Sequence, residues 1–147
     1  MVVVCLPFLL WGCSGVKRTH LGCSQGRLSP CPDSPNCVSS QSADPSSYIR
    51  PLEYTSDPAK ARRDLLSVLR EQPRGRVVKA DEGYIYVKFT SRIFRFVDDV
   101  EFCFDPESKL IYVRSASRVG YFDFGVNRNR VEDIRDRFSR VTGIDSS

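Results

Sequence analysis

Histidine is almost absent from this chain. The 147 residues contain one, His20, which lies in a polar stretch ahead of the part with regular apolar patterning. Catalysis by a Ser/His or Cys/His pair therefore has no base within the patterned part, and histidine-rich zinc sites are excluded for the same reason. The sequence also has no Gly-rich phosphate loop and no nucleophile elbow.

A strong charge of one sign is missing as well. The chain has 22 basic and 18 acidic residues, a net charge of +4. No element concentrates positive charge as nucleic-acid-binding domains do, so we expect no nucleic-acid partner. Attraction to an anionic membrane surface is compatible with this charge. The length suits one domain with one core.

The one long apolar run lies at the amino terminus. Residues 1–12 read MVVVCLPFLLWG, which is too short to span a bilayer and is typical of the apolar part of a secretory signal. The run ends in Leu10-Trp11-Gly12-Cys13, which resembles the lipobox of bacterial lipoproteins, where the cysteine receives a diacylglycerol and becomes the new amino terminus. Trp11 departs from that pattern, because a small residue is usual there. Cleavage after Ser14-Gly15 and a buried amino-terminal segment are the alternatives.

We interpret residues 1–13 as a signal peptide with a lipobox-like end. Residues 14–30 lack apolar periodicity, contain Gly, Ser, Lys and Arg, and predict a flexible tether. The expected location is the bacterial cell envelope, with the domain outside the cytoplasm and a lipid on Cys13 holding it at a membrane.

Residues 31–147 are predicted to form a single α+β domain. Residues 31–47 are rich in proline and turn formers and predict a loop, in which Cys31 and Cys37 are spaced for a local disulfide in an oxidising compartment. Cys23 and Cys103 are interpreted as a tether thiol and a buried thiol. Neither a metal site nor a cofactor is expected.

Two helices and four to five strands account for the remaining pattern. Asp57 and Pro58 predict the start of the first helix, and Asn129 with Glu132 resembles a capping box for a second helix over about 129–141. Strands are expected over 48–54, 76–80, 85–89, 97–104 and 110–116. Consecutive strands with short turns predict an antiparallel sheet, with both amphipathic helices packed on one face.

Three segments resemble a known family. They are CPDSPNCVSS at 31–40, FVDDVEF at 96–102, and VRSASRVGY with DFGVNR over 113–128. In this order they resemble the family called domain of unknown function 1499, over about residues 31–140. The resemblance implies small, often exported or lipoprotein-like proteins with no assigned catalytic residues.

The acidic cluster Asp98, Asp99 and Glu101 is one candidate for chemistry. Paired carboxylates serve as general acid and base when their environments separate their pKa values, so one hypothesis is a hydrolase, with or without a metal, that uses these residues. In a strand, however, Asp99 and Glu101 share a face and Asp98 points the other way. Ion pairing with arginines is the alternative interpretation.

Four arginines form the second candidate site. Arg114, Arg118, Arg128 and Arg130 surround a Gly-containing connection, and the last two lie where a helix is expected to start. A positive side chain is unfavourable near a helix amino end. A bound anion, such as a phosphate, sulfate or carboxylate, would offset it, and so would the chain's own carboxylates, Asp123 included.

The hairpin over 97–116 has a predicted register. Its two apolar sets reach the core together only if Phe104 faces Ile111 and Phe102 faces Val113. That register places Glu101 directly opposite Arg114 on the other face of the sheet and predicts an ion pair between them. Asp99 then lies within diagonal reach of Arg114.

These observations favour a binding or structural module of the cell envelope over an enzyme. The expected partners are the membrane, through the lipid anchor, and an envelope protein or a small anionic ligand that contacts the arginine-bearing loop. The alternative is the carboxylate-dependent hydrolase.

Lipidation of Cys13 has a direct test. Radioactive fatty acid supplied to bacteria that express the chain is expected to label the wild type and not the Cys13→Ser variant, because only the thiol accepts the diacylglycerol. Equal labelling of the two proteins would contradict the lipid anchor.

Overall fold

The structure is a computed structural model that describes residues 20–144. The predicted signal peptide, the lipobox-like end and residues 14–19 of the predicted tether lie outside this range. Six strands and two helices are present, and the chain is α+β. The strands are β1 (Cys37–Ser39), β2 (Leu52–Glu53), β3 (Gly75–Ala80), β4 (Tyr84–Thr90), β5 (Val97–Asp105) and β6 (Leu110–Ser117); the helices are α1 (Pro58–Arg70) and α2 (Val126–Thr142).

The strands form one antiparallel sheet in the order β1-β6-β5-β4-β3, and β2 also pairs with β6. The strand count exceeds the predicted four to five because Cys37–Ser39 lies inside the predicted loop and still pairs with Ala116, Ser115 and Arg114. Three residues are too few to show a period of two, so the pairing was not readable from the pattern.

The hairpin register is the predicted one. Phe104 faces Ile111, Phe102 faces Val113 and Glu101 faces Arg114. One core cluster contains Val100, Phe102 and Phe104 of β5, Ile111 and Val113 of β6, and buried residues of both helices. We call this side of the sheet the core face, and the side that carries Glu101 and Arg114 the strap face.

Helix α1 begins as predicted, with the Asp57 carboxylate accepting the backbone N–H of Lys60 and Pro58 in the first turn. The predicted start of α2 is wrong. Helix α2 begins at Val126, after Gly125 in a left-handed conformation. The Asp123 carboxylate accepts the N–H groups of Gly125 and Asn127 at 3.0 and 2.8 Å. Because Asp123 supplies the acceptor, Asn129 and Glu132 lie inside the helix and form no capping box.

Residues 20–29 are folded onto the strap face, and we call them the N-terminal strap. Cys23 forms a disulfide with Cys103, and Leu28 is buried against Tyr84 and Tyr86. The Gln41 side chain accepts the Leu28 N–H at 2.9 Å and donates to the Gly26 carbonyl at 2.7 Å. The folded unit therefore starts before Cys31, and Cys23 and Cys103 are not the separate thiols expected from the sequence.

The predicted disulfide between Cys31 and Cys37 is present, with the two Cα atoms 5.6 Å apart. Two disulfides place the domain in an oxidising, extracytoplasmic environment. Within residues 20–144, neither helix has the length and apolar character that crossing a membrane would require.

The two disulfides are expected to differ in their contribution to stability. Cys23 and Cys103 are 80 residues apart and Cys31 and Cys37 six apart. Chain entropy then gives roughly 4–5 kcal/mol for the first and about 2 kcal/mol for the second. Urea unfolding of Cys23→Ala/Cys103→Ala and of Cys31→Ala/Cys37→Ala measures both losses. An equal loss in the two variants would contradict the assignment of the strap disulfide as the dominant covalent constraint.

Candidate functional site

The three carboxylates of the acidic cluster lie on β5 and do not converge. Side chains alternate between the two faces of a strand. Asp99 and Glu101 therefore lie on the strap face and Asp98 on the core face, and all three residues are buried. Each of them forms an ion pair with a different arginine.

Glu101 and Arg114 form a fully buried pair beneath the N-terminal strap. Their side chains have no exposed surface, and Arg114 Nη1 lies 3.2 Å from Glu101 Oε2. The other carboxylate oxygen accepts the Tyr84 hydroxyl and the Gly22 backbone N–H, both at 2.7 Å. The predicted cross-strand pair is confirmed, and one of its hydrogen bonds comes from the strap.

The hydrogen bonding of this pair is asymmetric. Glu101 accepts from three donors, whereas Nε and Nη2 of Arg114 have no hydrogen-bond partner within the described part of the chain. Glu101 is thus the carboxylate that compensates a buried guanidinium charge, and a buried charge without such a partner is very unfavourable. Burial, followed by the hydrogen bond to Glu101, raises the pKa of Tyr84 far above its ordinary value.

Asp99 binds Arg118 and not Arg114. Nε and Nη2 of Arg118 each lie 2.9 Å from one Asp99 oxygen, a bidentate geometry. The Tyr86 hydroxyl donates to the same carboxylate at 2.6 Å. Burial, reinforced by this hydrogen bond, raises the pKa of Tyr86 to about 12. Arg118 itself is half exposed, so this pair lies at the border between the sheet and solvent.

Asp98 binds Arg130 on the core face. Arg130 Nη2 lies 2.6 Å from Asp98 Oδ2, and Nη1 donates to the Asn127 side-chain oxygen at 2.8 Å. The guanidinium also stacks over the Phe89 ring, 4.5 Å from its centroid. The Asp98 carboxylate therefore offsets the unfavourable positive charge of Arg130 in the early turns of α2.

The four candidate arginines do not converge on one site. Arg114 and Arg118 belong to the pairs on the strap face, Arg130 belongs to the Asp98 pair, and Arg128 donates to the Ser46 carbonyl at 2.9 Å. Their role toward an anion stays a prediction. Within residues 20–144, no three His, Cys, Asp or Glu side chains are grouped so that they could hold a metal ion.

Two loops at one end of the sheet expose large apolar side chains, a feature that we did not predict from the sequence. The first connects β4 to β5 over residues 91–96 and the second connects β6 to α2 over residues 118–125. They expose Ile93, Phe94, Phe96, Val119, Tyr121, Phe122 and Phe124. The signal available in the sequence is that these residues match neither a helical stripe nor a strand alternation.

The opposite end of the sheet contains a shallow cleft of about 410 Å³. It is lined by the strap turn, Gln25 to Arg27, together with Gln41, Asp105 and Tyr112. The Gln41 side chain in this cleft holds the strap in place, and the Tyr112 hydroxyl donates to the Asp105 carboxylate at 3.3 Å.

The chain matches a known protein family over most of its length. The family model described as "Protein of unknown function (DUF1499)" matches residues 27–138, so the chain belongs to this family, as the resemblance of its motifs predicts. The match includes both members of the Cys31–Cys37 disulfide and all three ion pairs of β5. No curated protein and no solved structure matches the chain.

The buried pair predicts an asymmetric response to mutation. Glu101→Gln leaves the Arg114 charge buried without its counter-ion and is expected to destabilise by about 3–5 kcal/mol. Arg114→Met is expected to cost less, because Glu101 keeps its bonds from Tyr84 and Gly22. The double variant is expected to lose less than the sum of both.

Urea unfolding of the three variants measures these differences. Arg137→Met is the matched control, since its pair with Asp133 is about half exposed and contributes under about 1 kcal/mol. Additive losses at Glu101 and Arg114 would show that the two side chains are not energetically coupled.

Proposed function

We propose that this protein is a non-catalytic binding module of the bacterial cell envelope, exported and held at a membrane by a lipid on Cys13. The observation that carries the proposal is that each carboxylate of the acidic cluster is paired with its own arginine. The contact surface is the end of the sheet where the 91–96 and 118–125 loops lie, and the arginines of this end favour an anionic partner.

The pairing disfavours the hydrolase alternative. A general acid or base exchanges a proton with substrate and needs hydrogen-bond reach to it. Glu101 is enclosed by Tyr84, Arg114 and the strap, and Asp99 uses both oxygens on Arg118. Asp98 is on the other face of the sheet, so it cannot act with either of them on one bond.

The disulfides support the export part of the proposal, since such bonds persist in extracytoplasmic compartments. The hydrophobic core supports the interpretation of the domain as a binding module. Buried residues of both helices and of the sheet form one cluster, which is consistent with both helices covering the core face. The strap contacts β4 and β5 on the strap face, and the two loops at the loop end together expose seven large apolar side chains.

A stability measurement separates the module from the enzyme without knowledge of a substrate. Catalytic groups are commonly held in strained or unfavourable surroundings, so their removal tends to stabilise a fold. Removal of one member of a buried ion pair destabilises it. Asp98→Asn, Asp99→Asn and Glu101→Gln are therefore all expected to lower the free energy of unfolding, each by at least about 1 kcal/mol.

The control for this series is Asp133→Asn, in the exposed pair with Arg137. Unfolding in urea at neutral pH provides the comparison. A stabilising effect of any one of the three substitutions in β5 would favour the hydrolase and contradict the proposal.

A further inference from the structure

The two exposed loops lie at the same end of the sheet. Residues 91–96 connect Thr90 to Val97, which face each other across β4 and β5. The 118–125 loop starts directly beside them, because the Arg118 N–H donates to the Val97 carbonyl at 2.9 Å. The two loops are therefore neighbours at one end of the sheet, and the apolar residues of both are exposed there.

The exposure of these side chains is unusually high. Phe124 is 94% exposed, Ile93 79% and Phe94 73%. Single exposed apolar residues are normal in a soluble domain, whereas a group of them marks a surface that contacts another molecule or a membrane. Phe124 and Arg95 also have positive φ angles of 53° and 56°, which are uncommon for residues other than glycine.

The charge around the apolar side chains is positive. Arg92 and Arg95 are exposed in the first loop, whereas Arg118 of the second is paired with Asp99. Asp123, the single carboxylate of the loops, accepts the first N–H groups of α2. Aromatic side chains surrounded by arginines match the interfacial layer of an anionic bilayer, where rings lie at headgroup depth and basic groups attract lipid phosphates.

The chain enters the domain from this same end. Gly22 contacts Glu101 and Cys23 is bonded to Cys103, so the strap runs along β5 away from the loops, and the chain before Gly22 comes from the loop end. The His20 carbonyl accepts the Ser29 hydroxyl, which lies just before the Cys31–Cys37 disulfide at that end. Seven residue steps separate Cys13 from His20, which span at most about 25 Å.

We propose that the 91–96 and 118–125 loops insert their aromatic side chains into the interface of an anionic bilayer leaflet. The inference deepens the proposed function, since it names the lipid surface as the partner of the module. A lipid on Cys13 would bring the loop end within reach of the leaflet, and the loops would then fix the orientation of the domain. The diacylglycerol supplies attachment and the loops supply orientation, because a lipid at the end of a flexible tether does not fix which surface of the domain faces the membrane.

A tryptophan placed in the loop reports insertion. The chain has one tryptophan, Trp11, so the full chain carrying Trp11→Phe is the background. Phe122→Trp is the loop probe, and Ser108→Trp, in the exposed turn at the other end of the β5–β6 hairpin, is the matched control. Both proteins are reconstituted into vesicles of equimolar phosphatidylcholine and phosphatidylglycerol in which the phosphatidylcholine acyl chains are brominated.

The expected result is a blue-shifted, bromine-quenched emission for Phe122→Trp and neither effect for Ser108→Trp. Quenching is expected to weaken in vesicles without phosphatidylglycerol, because the surface of these vesicles has no net negative charge to attract the arginines. Adding Phe94→Asp and Phe124→Asp to the loop probe is expected to lower the quenched fraction on the order of tenfold. Both positions are exposed, so the midpoint of urea unfolding serves as the check that the fold is intact.

Equal quenching of the two probes, or none at position 122, would overturn the proposal. A blue shift of the loop probe that depends on protein concentration and occurs without vesicles would overturn it too, in favour of a second copy of the chain. Fatty-acid labelling of the same preparations separates this inference from the proposed function. If Cys13 is unlabelled and the loop probe is quenched, the lipid anchor is rejected and the loop contact is retained. If Cys13 is labelled and the loop probe is not quenched, the loop contact is rejected and the lipid anchor is retained.

Discussion

The buried contact between Glu101 and Arg114 constrains the rest of this fold. Two opposite charges without solvent access tolerate little displacement, because neither side chain can reach water when the pair separates. The contact exists only in one register of the β5–β6 hairpin, and a slip by one residue would also turn either Phe102 or Val113 out of the core. It further requires a cover, which the strap supplies through the Gly22 N–H. Register, core and strap are thus mutually dependent.

The alternation of side chains along β5 explains why an acidic cluster in the sequence is not an acidic site in space. Asp98 and Asp99 are adjacent in the chain and yet are bound by arginines from α2 and from the loop after β6, on opposite faces. Charges from three separate segments are thereby tied to one strand. Each pair adds little net energy compared with apolar packing, but each excludes arrangements that would leave a charge buried alone.

Local patterns were sufficient for the hairpin, for the start of α1 and for the short disulfide, because each of these depends on residues close in sequence. The strap was not predictable, since Cys23 and Cys103 are 80 residues apart and the strap has one buried apolar side chain, Leu28, to reveal it. The start of α2 was misassigned because Asp123 acts from outside the helix, where no capping pattern is expected. The partner of Asp99 depends on the path of the loop after β6, which periodicity does not describe.

The disulfide of the strap also gives the molecule an order of events. A chain still in a reducing compartment has Cys23 and Cys103 as thiols, so the strap is held by the hydrogen bonds of Gly22 and Gln41 and by Leu28 alone. The disulfide that holds the strap over Glu101 and Arg114 forms only after oxidation on the far side of the membrane. Maturation of the fold is therefore coupled to membrane crossing. Before export the strap is held without its disulfide, and oxidation outside the cytoplasm completes its attachment to β5.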